Sequence, residues 1–189
     1  DQAGWAYLIR TMVRPGPGQV DRLSRYLAEH FPPNDRRAPV PVAGPLEIDF
    51  VTWMVPTPGQ RARDPVEAPD GSIWWAGQWG DNVGRLDPRT GEMREYALPA
   101  GAKPHSVTPD AEGAIWYLGN GNGTVGRLDP ATGEIEVFPM PDPEAKDPHT
   151  GVFADDGRFY ITLQRSNRVG RLDPETGAVD LIVLDRPRS

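Results

Sequence analysis

Two histidines occupy matching places in this chain. His105 stands in "AKPHSV" and His149 in "KDPHTG", and each follows a proline where a predicted strand begins. Arg63, in "RARDPV", takes the corresponding place one unit earlier. A neutral imidazole can accept a proton near pH 7, and an arginine can hold a carboxylate or an enolate oxygen. A histidine at a strand start can also serve only to bind a neighbouring carbonyl, so a catalytic and a structural interpretation both stay open.

The elements that must position these residues come from an internal repeat. The phrases "VGRLDPRTGEMREYALP", "VGRLDPATGEIEVFPMP" and "VGRLDPETGAVDLIVLD" begin at positions 83, 125 and 169, which gives a period near 42. Within one unit, four short runs rich in β-branched and aromatic residues are separated by turn residues: 105–110, 114–119, 124–129 and 134–140. Four strands in such a period form one blade of a β-propeller.

The repeated phrase itself has the chemistry of a turn. In "DPATGE", Asp129 can cap the backbone, Pro130 presets φ, and Gly133 supplies a left-handed residue. We therefore interpret the phrase as the third strand, a tight hairpin and the outer strand of a blade. The chain is predicted to be all-β over most of its length, with four-stranded blades and a short helical segment at its N-terminus.

The blade count does not close a ring. Residues 49–59, "DFVTWMVPTPG", align with the outer strand at 93–101, so residues 46–189 are predicted to hold one outer strand followed by three units. Closed propellers have about four to eight blades. We expect a fragment of a longer protein, and the alternative is that sister chains complete the ring.

The first part of the chain follows a different rule. Apolar residues recur at helical spacing in "GWAYLIRTMV" and "VDRLSRYLAEHF", which predicts two helices in a segment at 1–33. A proline-rich linker is predicted at 34–45, and the propeller domain at 46–189. The net charge of −7, without a basic cluster, argues against nucleic acid, and no apolar run is long enough to span a membrane. The absence of cysteine excludes thiolate catalysis and disulfides.

The blade pattern resembles the streptogramin B lyase (virginiamycin B lyase) family over about 57–185. The shared features are Pro-His before a strand, "DG..W" at the second strand, and "VGRLDP.TGE" in the outer hairpin. This resemblance implies a carbon–oxygen lyase that opens a cyclic depsipeptide by elimination, with a histidine base and Mg²⁺ held by glutamates. It places His149 and His105 as catalytic residues and Asp147, two positions before His149, as a metal ligand. The glutamate place of the family falls on Gly77, Gly119 and Leu163, so activity of this piece stays an open question.

Residues 4–33 resemble the C-terminal end of a small c-type cytochrome, in "W..LI..MV" and "L..YLAEHFPP". The haem-attaching Cys-x-x-Cys-His is absent, so this piece cannot bind haem covalently. The two resemblances together suggest a periplasmic or secreted bacterial protein. The alternative function is a non-catalytic propeller that binds a ligand or protein and is attached to an electron-transfer domain.

The predicted ligand is a small molecule or a peptide on the channel face, where the inner strands begin. Arg63 is expected to contact it there. Trp79, in the "GQWGDN" loop, is the best candidate for a contact outside the channel, because the loop is predicted to place an indole ring at an exposed turn.

Overall fold

The computed structural model describes residues 1–12, 16, 18–31, 44 and 49–185. These fall into two compact units, residues 1–50 and 51–189. Within the described residues, no helix has the length and apolar character that crossing a membrane would require. Most of the predicted linker lies outside the described residues, and the domain boundaries stay a prediction.

The first unit consists of two helices that pack on each other, α1 (Gln2–Met12) and α2 (Gln19–His30). Ile9 and Ser24 are buried in this unit, while Leu23 and Phe31 of the predicted apolar faces remain substantially exposed. The ring of Phe31 meets Trp5 edge to face at 6.3 Å. The two helices therefore form as predicted, but their apolar faces are only partly covered by each other.

The second unit contains three four-stranded antiparallel sheets, which we call blades 1, 2 and 3. In each blade the strands lie side by side in chain order. The strands are β1 (Ala62–Glu67), β2 (Ile73–Gly77), β3 (Asn82–Leu86) and β4 (Met93–Ala97) in blade 1; β5 (Val107–Pro109), β6 (Ile115–Gly119), β7 (Thr124–Leu128) and β8 (Ile135–Pro139) in blade 2; and β9 (Pro148–Phe153), β10 (Phe159–Leu163), β11 (Arg168–Leu172) and β12 (Val179–Val183) in blade 3.

The repeated phrase has the predicted structure. In blade 2 it forms β7, a tight turn and β8, and the Ala131 amide donates to the Asp129 carboxylate at 2.8 Å. Gly133 has a φ of 79° and donates its N–H to the carbonyl of Asp129 at 2.8 Å. Glycine adopts this left-handed conformation without a steric penalty, so the Asp-Pro-x-Thr-Gly sequence specifies the hairpin.

The predicted outer strand at 49–59 is wrong. Residues 49–60 contain no strand. An outer strand needs the third strand of its own blade as a hydrogen-bond partner, and no described residue before position 49 is in a strand. Instead, this segment hydrogen-bonds to blade 1. The Thr57 hydroxyl and the Gln60 side-chain amide each donate to the Glu95 carboxylate at 2.6 Å, and the Trp75 indole donates to Gln60 Oε1 at 3.0 Å.

The core lies between neighbouring blades and is built by the central aromatic residues of the second strands. Tyr117 is fully buried in a cluster with residues of blade 1, including Trp74 and Val83. Trp116 packs on the other side of the same strand, in a cluster with Phe159 of blade 3. The alternation of side chains along a strand thus lets one blade pack against both of its neighbours.

The glycine of the repeated phrase makes room for this packing. In blade 2, Tyr117 pairs across the sheet with Gly126, and its ring lies over the glycine. In blade 1, the ring of Trp75 lies over Gly84 in the same way. A side chain at either position would occupy the space of the ring, so Gly84 and Gly126 are needed for the fit of the aromatic residue.

Replacing Gly126 with alanine should destabilise the propeller unit. A Cβ there would overlap the buried ring of Tyr117, and forcing extra carbon into a packed core costs about 1–3 kcal/mol. The matched control is Gly170→Ala in blade 3, where a Cβ would lie 3.6 Å from Ile161 Cβ, an ordinary contact. Urea denaturation followed by tryptophan fluorescence measures both variants. Equal losses of stability would contradict the role assigned to Gly126.

Candidate functional site

Arg63, His105 and His149 occupy equivalent positions in the three blades. Each lies ten positions before the first residue of its blade's second strand, which is Ile73, Ile115 or Phe159. The sequence alignment of these three residues therefore agrees with the strand register. All three stand where the chain enters the inner strand of its blade, which is the end of a propeller that carries ligand sites.

Blades 2 and 3 bring the two histidines into direct contact. The ring centroids of His105 and His149 are 3.3 Å apart, at an interplanar angle of 34°. His105 is 6% exposed, and its backbone N–H donates to the Leu118 carbonyl at 3.0 Å. The hydroxyl of Ser106 on blade 2 donates to the His149 carbonyl on blade 3 at 2.8 Å. The pair is thus held through the backbones of both histidine residues, one bonded within blade 2 and the other bound by Ser106 across the two blades.

Both imidazoles are held in the neutral form. Burial lowers the pKa of His105, and the positive charges of His149 and Arg63 lower it further, while Asp64 and Asp147 partly oppose the shift. Burial also lowers the pKa of His149, with Asp147 opposing. Two rings in contact cannot both carry a charge at low cost, because like charges at this distance repel. Near neutral pH the pair therefore offers unprotonated nitrogens.

Asp147 is a buried carboxylate that joins blade 2 to blade 3. Asp147 is 7% exposed. Its Oδ1 accepts a hydrogen bond from the side-chain amide of Asn120, and its Oδ2 lies 2.8 Å from Nε of Arg165. The Asp147 backbone has a φ of 65°, and its carbonyl accepts from the Gln164 N–H at 3.0 Å. Both carboxylate oxygens are thus already engaged by protein groups.

The described residues do not by themselves form a magnesium site. Magnesium is bound by several oxygen ligands in near-octahedral geometry. Within the described parts of the chain, no group of three or more histidine or carboxylate side chains is placed to hold a metal ion. The two carboxylate oxygens of Asp147, the predicted ligand, are bound by Asn120 and Arg165.

Arg63 and Trp79 extend the site along blade 1. Arg63 donates to Oε1 of Gln78 at 3.0 Å, and its Nε is buried without a hydrogen bond. Trp79, the residue after Gln78, is 67% exposed, and the Arg61 guanidinium lies 5.1 Å from the centre of its ring. An exposed indole with a stacked cation is a surface on which another ring can lie.

Three polar residues of the site were missed by the sequence analysis. Asn120 and Gln78 are neighbours of Gly119 and Gly77, the positions examined for a family glutamate, and they hold Asp147 and Arg63. Asp64 lies one residue after Arg63, with Oδ2 at 3.2 Å from Nδ1 of His105. The signal in the sequence was that each of the three directly follows a position aligned across the repeat: Gly77, Gly119 or Arg63.

A large cavity lies at the opposite end of the blades. It has a volume of about 1090 Å³ and is lined by turn residues of blades 1 and 2, among them Asp70, Glu112 and Asp129. The acidic residues there serve the turns: the Ser72 hydroxyl and amide hold the pKa of Asp70 at about 2. The candidate site is therefore the histidine face and not the cavity between the hairpins.

Four-stranded antiparallel blades that pack face to face, with ligand-competent residues where their inner strands begin, define the chain as a β-propeller protein. Its residues 46–189 match the model of the virginiamycin B lyase family. The chain belongs to this family. The match does not include residues 1–45, and the cytochrome-like resemblance of that segment stays a prediction.

Solved structures agree with this assignment. Virginiamycin B lyase from Staphylococcus aureus is 27% identical, with a TM-score of 0.66, and the alignment covers 71% of this chain and 45% of that one. A catalytically inactive variant of the same enzyme, solved with quinupristin, matches equally well. A streptogramin B lyase is 28% identical with a TM-score of 0.68, over 74% of this chain and 46% of that one. This chain thus spans less than half the length of these relatives. The comparison with curated proteins found no match.

The neutral histidine pair predicts a stability that falls as the solution is acidified. The pKa values of His105 and His149 are lowered in the folded protein, so below the ordinary value of 6.5 the unfolded chain binds more protons than the folded one. Stability then rises with pH in this window and is lost as the pH falls through it.

Chemical denaturation between about pH 7 and pH 5 measures this effect, above the range in which most carboxylates titrate. The variant with both His105→Gln and His149→Gln should show a shallower dependence of the unfolding free energy on pH. An unchanged slope in that variant would show that the two histidines are not held neutral by the fold.

Proposed function

We propose that the protein containing this chain opens a cyclic depsipeptide at its ester bond by elimination, in the manner of a streptogramin B lyase. The observation that carries this proposal is the pair of neutral histidines in contact at the entry to two inner strands, with Arg63 on the neighbouring blade. Elimination needs a base that is unprotonated at neutral pH and a positive group near the oxygen that gains charge. The site supplies both.

His149 is the proposed base, because it is the less buried of the two rings. It takes the proton on the carbon alpha to a carbonyl, and the C–H electron pair forms a carbon–carbon double bond. The bond between the β-carbon and the ester oxygen then breaks, and the carboxylate leaves with the electron pair of that bond. In this proposal Arg63 holds a carbonyl or carboxylate oxygen through its guanidinium. The product is a linear isomer of the substrate, since no water is added.

The contribution of this chain to such an enzyme is one part of a propeller. It holds three blades and spans less than half of the lyases it matches, so the activity, the substrate and any magnesium belong to the proposal. We expect further blades, or sister chains, to complete the ring beside blade 3, whose Val152 and Ile182 are exposed. A periplasmic or secreted location stays a prediction.

A second candidate function is ligand binding without turnover. It is favoured by the small or apolar residues Gly77, Gly119 and Leu163 at the places of the family glutamate, and by the engagement of both Asp147 oxygens. In this case the histidine face would bind a small molecule or peptide, next to an electron-transfer domain that the N-terminal resemblance suggests.

An assay of ring opening separates the two functions. The full-length protein, incubated with quinupristin and Mg²⁺, should convert it into an isomer of the same mass but different chromatographic retention. His149→Gln should slow this by about 10²–10⁴-fold, the usual contribution of a general base. His30→Gln, in the helical unit, is the control and should keep the wild-type rate. Binding of quinupristin without an isomeric product would establish the second function instead, and a product heavier by one water would show hydrolysis.

Trp79 should contribute to binding rather than to the chemical step. Removing an exposed ring that stacks on a ligand costs about 0.5–1.5 kcal/mol, so Trp79→Ala should weaken the binding of quinupristin by up to about tenfold. Calorimetric titration of the His149→Gln background measures this without turnover. Trp53→Ala is the matched control, because Trp53 is partly exposed but lies beside Gly91 in the β3–β4 hairpin. Equal affinity of the two variants would remove Trp79 from the site.

A further inference from the structure

Asp64 occupies a position that makes a contact across blades in the repeat. It follows Arg63 directly, as Ser106 follows His105. On blade 2, the Ser106 hydroxyl reaches the His149 carbonyl of blade 3. On blade 1, the Asp64 carboxylate reaches blade 2 in the same direction, but it meets a ring: Oδ2 lies 3.2 Å from Nδ1 of His105. Blade 1 thus places a carboxylate beside an imidazole ring of blade 2, whereas blade 2 places only a hydroxyl against the backbone of blade 3.

The backbone around Asp64 is shaped to present this carboxylate. Asp64 has a φ of 47°, which is uncommon for a residue other than glycine, and Pro65 follows it. The pairing of β1 with β2 shifts register between Arg63 and Val66, as in a β-bulge. Bulges and left-handed residues redirect a side chain away from the regular pleat and concentrate at functional sites.

Two buried nitrogens face the carboxylate without a hydrogen bond of their own. They are Nδ1 of His105 and Nε of Arg63, which lies 3.8 Å from Oδ1 of Asp64. Both are within ion-pair distance, but the His105 contact lacks the alignment of a hydrogen bond and the Arg63 contact is too long to be one. Catalytic hydrogen bonds are often long or misaligned without ligand and tighten when the substrate is bound. Asp64 is a carboxylate within ion-pair distance of both nitrogens.

We propose that Asp64 is a positioning residue, which keeps the proton of His105 on Nδ1 and leaves Nε2 as the acceptor beside His149. A carboxylate on one ring nitrogen fixes the tautomer and orientation of an imidazole, and it stabilises the imidazolium that forms when the other nitrogen takes a proton. In the proposed elimination, His105 can then accept the proton that His149 has taken from the substrate. This inference rests on the proposed function for its catalytic part only.

The charged and titratable groups that face His105 are Asp64, Arg63, His149 and Asp147. Of these, Asp64 and Asp147 raise its pKa, and the others lower it. Removing the charge of Asp64 should therefore lower the pKa of His105 further below its ordinary value. A variant that merely loosens the packing would do the reverse, because water would enter and the pKa would rise. The direction of the change separates a positioning role from a structural one.

The test is ¹⁵N NMR of the histidine rings in the wild type and in Asp64→Asn. Asparagine tolerates the left-handed backbone, so the turn should survive. We expect a lower pKa of His105 and a loss of the single Nδ1–H tautomer. Ser106→Ala, at the same repeat position in blade 2, is the matched control and should leave that tautomer in place. Asp64→Ser, which copies the residue of blade 2, serves if the asparagine variant does not fold.

Unchanged tautomer and pKa in Asp64→Asn, or a rise in the pKa, would overturn the proposal. With quinupristin, the variant should lower kcat by about 10–100-fold with little change in KM, as is usual for residues that orient a catalytic group. A wild type that opens the ring and a variant that opens it equally fast would contradict the inference alone. A wild type that does not open the ring would contradict the proposed function, while the NMR result would still decide the role of Asp64.

Discussion

The packing of one blade against the next is the constraint on which the rest of this structure depends. In blade 2, Tyr117 buries its ring between its own Gly126 and blade 1, and Trp116 fills the space toward blade 3. A single four-stranded sheet has two apolar faces and is not stable while both meet water. Face-to-face stacking buries these faces, and it also fixes how far apart the starts of the inner strands lie.

The candidate site is a consequence of that spacing. His105 and His149 belong to different blades and are separated in sequence by one repeat, yet their rings are in contact. The contact and the surrounding burial keep both rings neutral, because a protonated ring at this place would lack the solvation of water and would lie near the positive charge of Arg63. Asp147 joins the same two blades through Asn120 and Arg165. The polar network therefore holds the interface between blades 2 and 3 at its channel end, and the apolar packing holds the same interface along its length.

Much of the fold was predictable because it is encoded locally. Asp129 and Gly133 specify a hairpin within six residues, and alternation within each strand shows which residues face a neighbour. The outer strand predicted at 49–59 was wrong, since repeat similarity gives a segment strand character but not a partner. Asp64 and Asn120 escaped prediction for a related reason. Their roles depend on which residue of the adjacent blade lies opposite, and a single sequence does not show pairings across blades.

The sequence by itself determined the architecture: the period, the four strands of each blade, the hairpin chemistry of "VGRLDP.TG", and the equivalent places of Arg63, His105 and His149. These follow from interactions within a few residues and from alternation along a strand, which a chain displays in its own order. Only the tertiary structure decided that the two histidine rings are in contact, that Asp147 is already engaged, and that Asp64 faces His105. The contact between the two histidines and the contact between Asp64 and His105 join residues about one repeat apart, and their geometry is set by the angle and distance between blades.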